Sequence, residues 1–350
     1  MFTRLKQNHR LVVLGTLGAI LFLCLLIAAG LGVVSISPLN IMKIMLNKMA
    51  LFNFVPTWQA SDETILFLIR LPRVIAGGLV GAALASAGVL FQGLLRNPMA
   101  DPYIIGTSAG AAFGATIAMM FPITVTFLSF GLVPLAAFVG ALGAVLLVYN
   151  LARVGGKTPV VSMLLAGFAV SAMLTAVMFF MVTLSGRTEL LHILYSFLMG
   201  SISVSGWNQI IIIAPLIIGG IIAARFLAFR LNAFSLGEEG AAYLGINVER
   251  DKLLILALGS LLTAAAVSIS GLVGFVGLVV PHAVRLVLGP DHRLLLPAAA
   301  LSGGAFLILA DLFARTLLAP TEIPIGILTA LIGAPFFIYL LRRTRKEYAF

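Results

Sequence analysis

The chain has 350 residues, 61% of them hydrophobic and only 10% charged, with a mean hydropathy of +1.15. That balance excludes a soluble globular domain. The net charge of +10 does not indicate nucleic acid, because no basic stripe with interleaved aromatics accompanies it; basic residues of a membrane chain set its orientation. A bilayer core about 30 Å thick takes about 20 apolar residues per helix, and ten such stretches fill the sequence.

The first runs over 11–34, after Arg4, Lys6 and Arg10. It is longer than the roughly 7–15 residues of a signal-peptide core and reads as a retained helix. The single cysteine, Cys24, lies inside it, which excludes an intrachain disulfide and a cysteine-based metal site. The following spans are 71–92, 103–121, 130–152, 159–184, 207–229, 252–270, 272–288, 294–313 and 325–341. The eighth, 272–288, contains Pro281, His282 and Arg285 and reads as spanning or re-entrant. With the N-terminus in the cytoplasm, sixteen of the 22 Lys and Arg residues fall on the cytoplasmic side and six outside. Ten spans with both termini inside satisfy the positive-inside rule, and an odd number would not. Gly77, Gly81 and Ala85 in the second span, and Gly106, Gly110 and Gly114 in the third, recur every four residues. Such faces let helices approach closely in lipid and predict a tight bundle.

Two connections stand out. Asn97-Pro98-Met99-Ala100-Asp101-Pro102 is a compact turn, since each proline disfavours helix at the residue before it. The connection 230–251 holds a short helix that Ser235 or Gly237 is placed to cap. Glu238 and Glu239 suit its positive end, and Gly245 is placed to stop it. On the outer side, an amphipathic stretch over 189–199 reads as an interfacial helix.

Several motifs fail. Gly155-Gly156-Lys157-Thr158 resembles the end of a phosphate loop, but Leu151 stands where the first glycine is required, so the chain is not expected to hydrolyse ATP. His9, His192, His282 and His292 are scattered, no Gly-x-Ser-x-Gly elbow is present, and neither metal nor cofactor is expected. Asp311 and Arg315, four apart, are placed to pair on one helix face. Asp311 is the one fair candidate for a proton relay, which keeps an ion-coupled secondary carrier as the alternative reading.

The runs Arg70-Leu71-Pro72-Arg73, Asn97 to Pro102, Gly274-Phe275-Val276-Gly277-Leu278 leading into Pro281-His282 and Arg285, Asp291-His292-Arg293, Ala310-Asp311 with Arg315, Glu322-Ile323-Pro324-Ile325-Gly326, and Thr329-Ala330 with Gly333-Ala334-Pro335 together resemble the FecCD family of ABC-importer permeases, over about 69–341. That family includes the vitamin B12, haem and iron-siderophore importers.

The resemblance implies an all-α, ten-helix permease of the type II importer fold, a single domain over 1–350 in the cytoplasmic (inner) membrane. It implies a homodimer, or a pair of related permeases, with the path at the two-fold axis. Two ATP-binding subunits bind inside and a substrate-binding protein docks outside; the remaining contacts are with membrane lipid and none with nucleic acid. By position, Arg70, Arg73 and Arg315 match arginines that meet glutamates of the binding protein. Ser235, Leu236, Gly237, Glu238, Glu239, Ala242, Tyr243, Leu244 and Gly245 match the coupling helices that enter the ATPase. Asn97, Met99, Val160 and Val161 match gate positions. The two valines stand where the B12 importer has small hydroxyl residues, which points to a constriction that closes by excluding water. The cargo is an Fe(III)-siderophore, cobalamin or haem, a choice that in this family lies largely with the binding protein.

Overall fold

Every expected span is a helix in the computed structural model, which describes residues 2–32, 36–48, 54–121 and 130–344. Of the residues used above, the end of the first span at 33–34 lies outside the described residues, as do the side chains of Arg4, Lys6 and His9. The helices are α1 (Phe2–Gly30), α2 (Pro38–Lys48), α3 (Ala60–Thr64), α4 (Leu71–Leu94), α5 (Thr107–Met120), α6 (Leu132–Ala152), α7 (Val160–Ser185), α8 (Thr188–Met199), α9 (Trp207–Phe234), α10 (Glu238–Tyr243), α11 (Val248–Ser270), α12 (Val276–Leu288), α13 (His292–Thr316) and α14 (Ile325–Thr344). No strand occurs among the described residues.

Among the described residues, seven helices are long and apolar enough to cross a bilayer. The other three expected spans, α5, α12 and the apolar part of α14, are shorter. At 1.5 Å per residue, the 13 residues of α12 reach about 20 Å and do not cross the apolar layer alone. Pro281 sits inside α12 and removes the N–H that the Gly277 carbonyl would meet. The Gln92 amide takes that carbonyl at 3.4 Å and the next one, of Leu278, at 3.2 Å.

The bundle is built around α4, which packs against α9, α11, α12 and α13 and is buried over most of its length. Its glycine face behaves as the spacing predicts: a Cβ on Gly81 would overlap the Gly303 carbonyl on α13, and one on Gly88 would overlap Gly277 at the start of α12. On α5, Gly110 meets Gly140 and Gly114 meets Ala136, both on α6. Gly106 departs from the expectation. It precedes α5 with φ +86°, a left-handed geometry that costs glycine little, so it ends the 95–106 turn and does not pack a helix face.

The second span begins earlier than its hydropathy suggests. A continuous helical rod runs over Ala60–Leu94, with a π-helical stretch at Ile65–Arg70. Pro72 explains it: a proline ring inside a helix clashes with the carbonyl four residues back, and the chain widens there. The Phe67 carbonyl is taken by the Trp207 indole N–H at 2.7 Å. The amphipathic stretch after α7 forms α8, with Leu190 and Leu194 buried. α2 was not expected, although Ile41 and Ile44 give it a buried face at helical spacing.

Candidate functional site

Features of interest gather at the two ends of the bundle. Residues His292 and Arg315 lie at opposite ends of α13, and 23 steps of 1.5 Å put the ends about 35 Å apart.

At one end, Arg70, Arg73 and Arg315 come together. Arg70 and Arg315 are nevertheless buried, not presented to an outside partner. The last turn of α1 has carbonyls with no helical donor. Arg315 donates to the carbonyl of Ala28 at 3.3 Å; Arg70 donates to those of Ala29 at 3.3 Å and Gly30 at 3.0 Å. The two guanidinium groups therefore cap α1, where positive charge meets the negative end of the helix dipole. Asp311 pairs with Arg315, as its four-residue spacing predicts, Oδ2 lying 3.0 Å from Nε. It also takes a hydrogen bond from Arg73 Nε at 3.0 Å. Arg73 keeps about a fifth of its side chain exposed, and its two terminal nitrogens grip both oxygens of Glu322 at 3.0 and 2.9 Å. Glu322, about half exposed, stands in one of the runs that carry the family resemblance, but sequence reasoning assigned it no role.

At the other end, the segment expected to couple to a partner is a single-turn-and-a-half helix, α10. Gly237 caps it with φ +97°, and Gly245 follows with φ +78°. Ser235 is not the cap. It closes α9, and its hydroxyl donates to the Asn232 carbonyl at 2.6 Å. Glu238 and Glu239 occupy the first turn. Leu236 and Leu244 are exposed, Tyr243 is 92% exposed, and Ala242 is exposed between them, while Ala241 is fully buried.

What fixes α10 is Lys252, the first residue of the expected span 252–270. It is 4% exposed. Its ammonium meets Glu238 at 2.7 Å, Glu249 at 3.1 Å and the Thr158 carbonyl at 3.2 Å. One cation thus ties α10 to α11 and to the turn before α7. That turn holds Gly155 and Gly156, both with positive φ, between Val154 and Lys157, whose backbones pair. It is a tight reversal and not a phosphate cradle.

The gate candidates lie near this end. Asn97 is exposed, and its side-chain carbonyl accepts the Met99 N–H at 2.9 Å. Met99 packs in a small crevice with His282, Phe336 and Phe337. In the same turn Asp101 is partly buried, and desolvation pushes its carboxyl up to about 6 against the opposing hydrogen bond from the Tyr103 N–H. Val160 is partly buried against the core. Val161 is exposed, and with Leu165 and Phe168 it forms an apolar stripe along α7 with each side chain at least 65% exposed. No group of three or more potential metal ligands occurs among the described residues.

A glycine-packed helical bundle with seven helices, among the described residues, long and apolar enough to cross a bilayer is the architecture of a multi-pass membrane protein. The family model described as the FecCD transport family matches residues 20–343, and the chain belongs to that family. It is 51% identical over 280 residues to the cobalamin import system permease protein BtuC of Halobacterium salinarum, covering 80% of this chain and 74% of the relative. It is 40% identical over 308 residues to the hemin transport system permease protein HmuU of Yersinia pestis, covering 84% and 89%. A solved inward-facing structure of a metal-chelate type ABC transporter superposes with a TM-score of 0.81 at 32% identity, covering 95% of this chain and 99% of the other. The chain is therefore a multi-pass ABC-importer permease, a transport component and not an enzyme, and it works with ATP-binding subunits and a substrate-binding protein.

Proposed function

We propose that this permease carries a metal chelate, of the cobalamin, haem or Fe(III)-siderophore class, inward across the cytoplasmic membrane by alternating access, as one of two copies around a shared path. The observation that carries this reading is the pairing of family membership with an α10 whose exposed face is Leu236, Tyr243 and Leu244. That face suits a groove on an ATP-binding subunit, and Lys252 holds it rigidly enough to pass on a push. The exposed apolar stripe Val161, Leu165 and Phe168 on α7 suits a second copy, with Asn97, Met99, Val160 and Val161 forming the gate beside it.

The binding protein docks at the Arg73 end. Arg73 presents charge there, while Arg70 and Arg315 fix it through Asp311 and the end of α1. Charge pairing at such a rim sets encounter rate and register more than affinity. ATP binding favours one facing of the path and ligand delivery the other, which is what differential binding to two states requires.

The test is uptake into proteoliposomes holding the permease, its ATP-binding subunits and its binding protein. Cobalamin, haem and a ferric hydroxamate are supplied in turn. ATP-dependent entry of one class supports the reading; entry of none, with a metal-free solute carried instead, overturns it.

A further inference from the structure

At the α10 end of the bundle, a cavity of about 660 Å³ opens between α1, α9 and α13. Its rim carries Arg10, Arg225 and Arg293, and its walls include Leu14, Ile221 and Ile222. Charge is unevenly balanced there. Arg10 pairs with Asp291 at 2.6 Å. Among the described residues, Arg225 and Arg293 make no ion pair. Arg293 instead lies over the Phe229 ring, 5.4 Å from its centroid. Asp291 is also committed elsewhere, accepting from the Asn232 amide at 2.8 Å and the Arg293 backbone N–H at 3.0 Å. Burial raises its carboxyl, but those hydrogen bonds and the neighbouring arginines outweigh it and hold the group below the usual carboxylate range.

We propose that this cavity is a binding site for one anionic phospholipid, with the phosphate between Arg225 and Arg293 and an acyl chain along Leu14, Ile221 and Ile222. Three features of the site select that ligand. The rim keeps two positive charges beyond the Arg10–Asp291 pair, so it calls for an anion. Guanidinium groups match phosphate oxygens in a fork. The walls are aliphatic, and Leu11 and Ile222 face outward from the bundle at the end where the basic majority of the chain lies, so a free phosphate leaves most of the cavity unfilled. Basic pockets between helices at this membrane face suit anionic headgroups, each Lys or Arg contributing on the order of a fivefold gain in affinity. A bound lipid would join α1 to α9 and α13 and brace the base of the α9–α10 connection.

The experiment is native mass spectrometry and thermal unfolding of the purified permease in mild detergent, titrated with phosphatidylglycerol, phosphatidylcholine or inorganic phosphate. The wild type should retain phosphatidylglycerol in preference to phosphatidylcholine and unfold at a higher temperature with it, while inorganic phosphate has no effect. Arg225→Gln with Arg293→Gln should weaken retention about 25-fold, from roughly fivefold per charge. Arg225→Lys with Arg293→Lys should keep most of it, which separates lost charge from lost folding. Equal retention of the two lipids, or of phosphatidylglycerol by wild type and the Gln variant, overturns the site. Stabilisation by inorganic phosphate alone overturns the lipid assignment in favour of a small-anion pocket.

Discussion

Replacing Asp311 by Asn tests the ionic cluster beside α1. The carboxylate lies 3.0 Å from Arg73 Nε and 3.0 Å from Arg315 Nε, and its own side chain is 1% exposed. Each contact carries about 5 kcal/mol of gross attraction at an effective dielectric near 20, most of it offset by desolvation of the ions. Removing one member of such a set leaves an uncompensated buried charge and costs about 3–5 kcal/mol net. With an unfolding entropy of roughly 2.1 cal/mol/K per residue over 350 residues, a loss of about 4 kcal/mol lowers the midpoint by roughly 5 °C. Differential scanning fluorimetry in detergent reads this directly. Arg315→Gln in the same chain removes the surplus charge at the expense of the Ala28 contact, so the double variant should lose less than the two single losses combined. An Asp311→Asn protein within about 0.5 kcal/mol of wild type would refute the claim that this carboxylate organises the arginines.

Further predictions address the remaining parts. Glu322→Gln releases Arg73 and should strengthen capture of the binding protein roughly two- to fivefold, as for an exposed ion pair, whereas Arg73→Glu should weaken it, more at low salt; surface plasmon resonance at two ionic strengths measures both. Lys252→Met removes charged hydrogen bonds worth about 2 kcal/mol and should raise amide exchange over 237–245 while leaving the α4 core protected. Tyr243→Ala with Leu244→Ala should lose the ATP-binding subunits on size exclusion without lowering the stability by more than about 1 kcal/mol, since both side chains are exposed and exposed positions change stability little. Asp101 binds its proton more tightly folded than unfolded, so its contribution is fully present below pH 4 and is lost as pH rises through about 6. Asp101→Asn should flatten that part of the stability profile, by roughly 2–3 kcal/mol.

Much of this architecture was legible because bilayer thickness imposes a length that a sequence must meet. Each of the ten spans has its helix, and the glycine spacing on α4 and α5 pointed to real close approaches. α10 was legible as well, because Gly237 and Gly245 bracket it. What escaped reading depends on contacts between distant positions. Arg73 and Glu322 are 249 residues apart, and Lys252 reaches across 94 residues to Thr158. Neither leaves a local signature. Topology and the family resemblance put Arg70 and Arg315 on the outer side without showing what holds them. Their partners are backbone carbonyls of α1, which no side-chain pattern reveals. The π-helical stretch had a signal in Pro72, and the choice left open between Ser235 and Gly237 as cap is decided by a sharp turn at positive φ that favours glycine.

The central claim, that α10 docks a separate ATP-binding subunit, is tested most directly by purifying the permease in mild detergent from its native membrane and weighing the intact assembly. Two ATP-binding subunits with two permeases, lost together on Tyr243→Ala with Leu244→Ala, is the predicted result. A permease assembly that holds no ATP-binding subunit yet still transports would contradict it and return the chain to the secondary carriers.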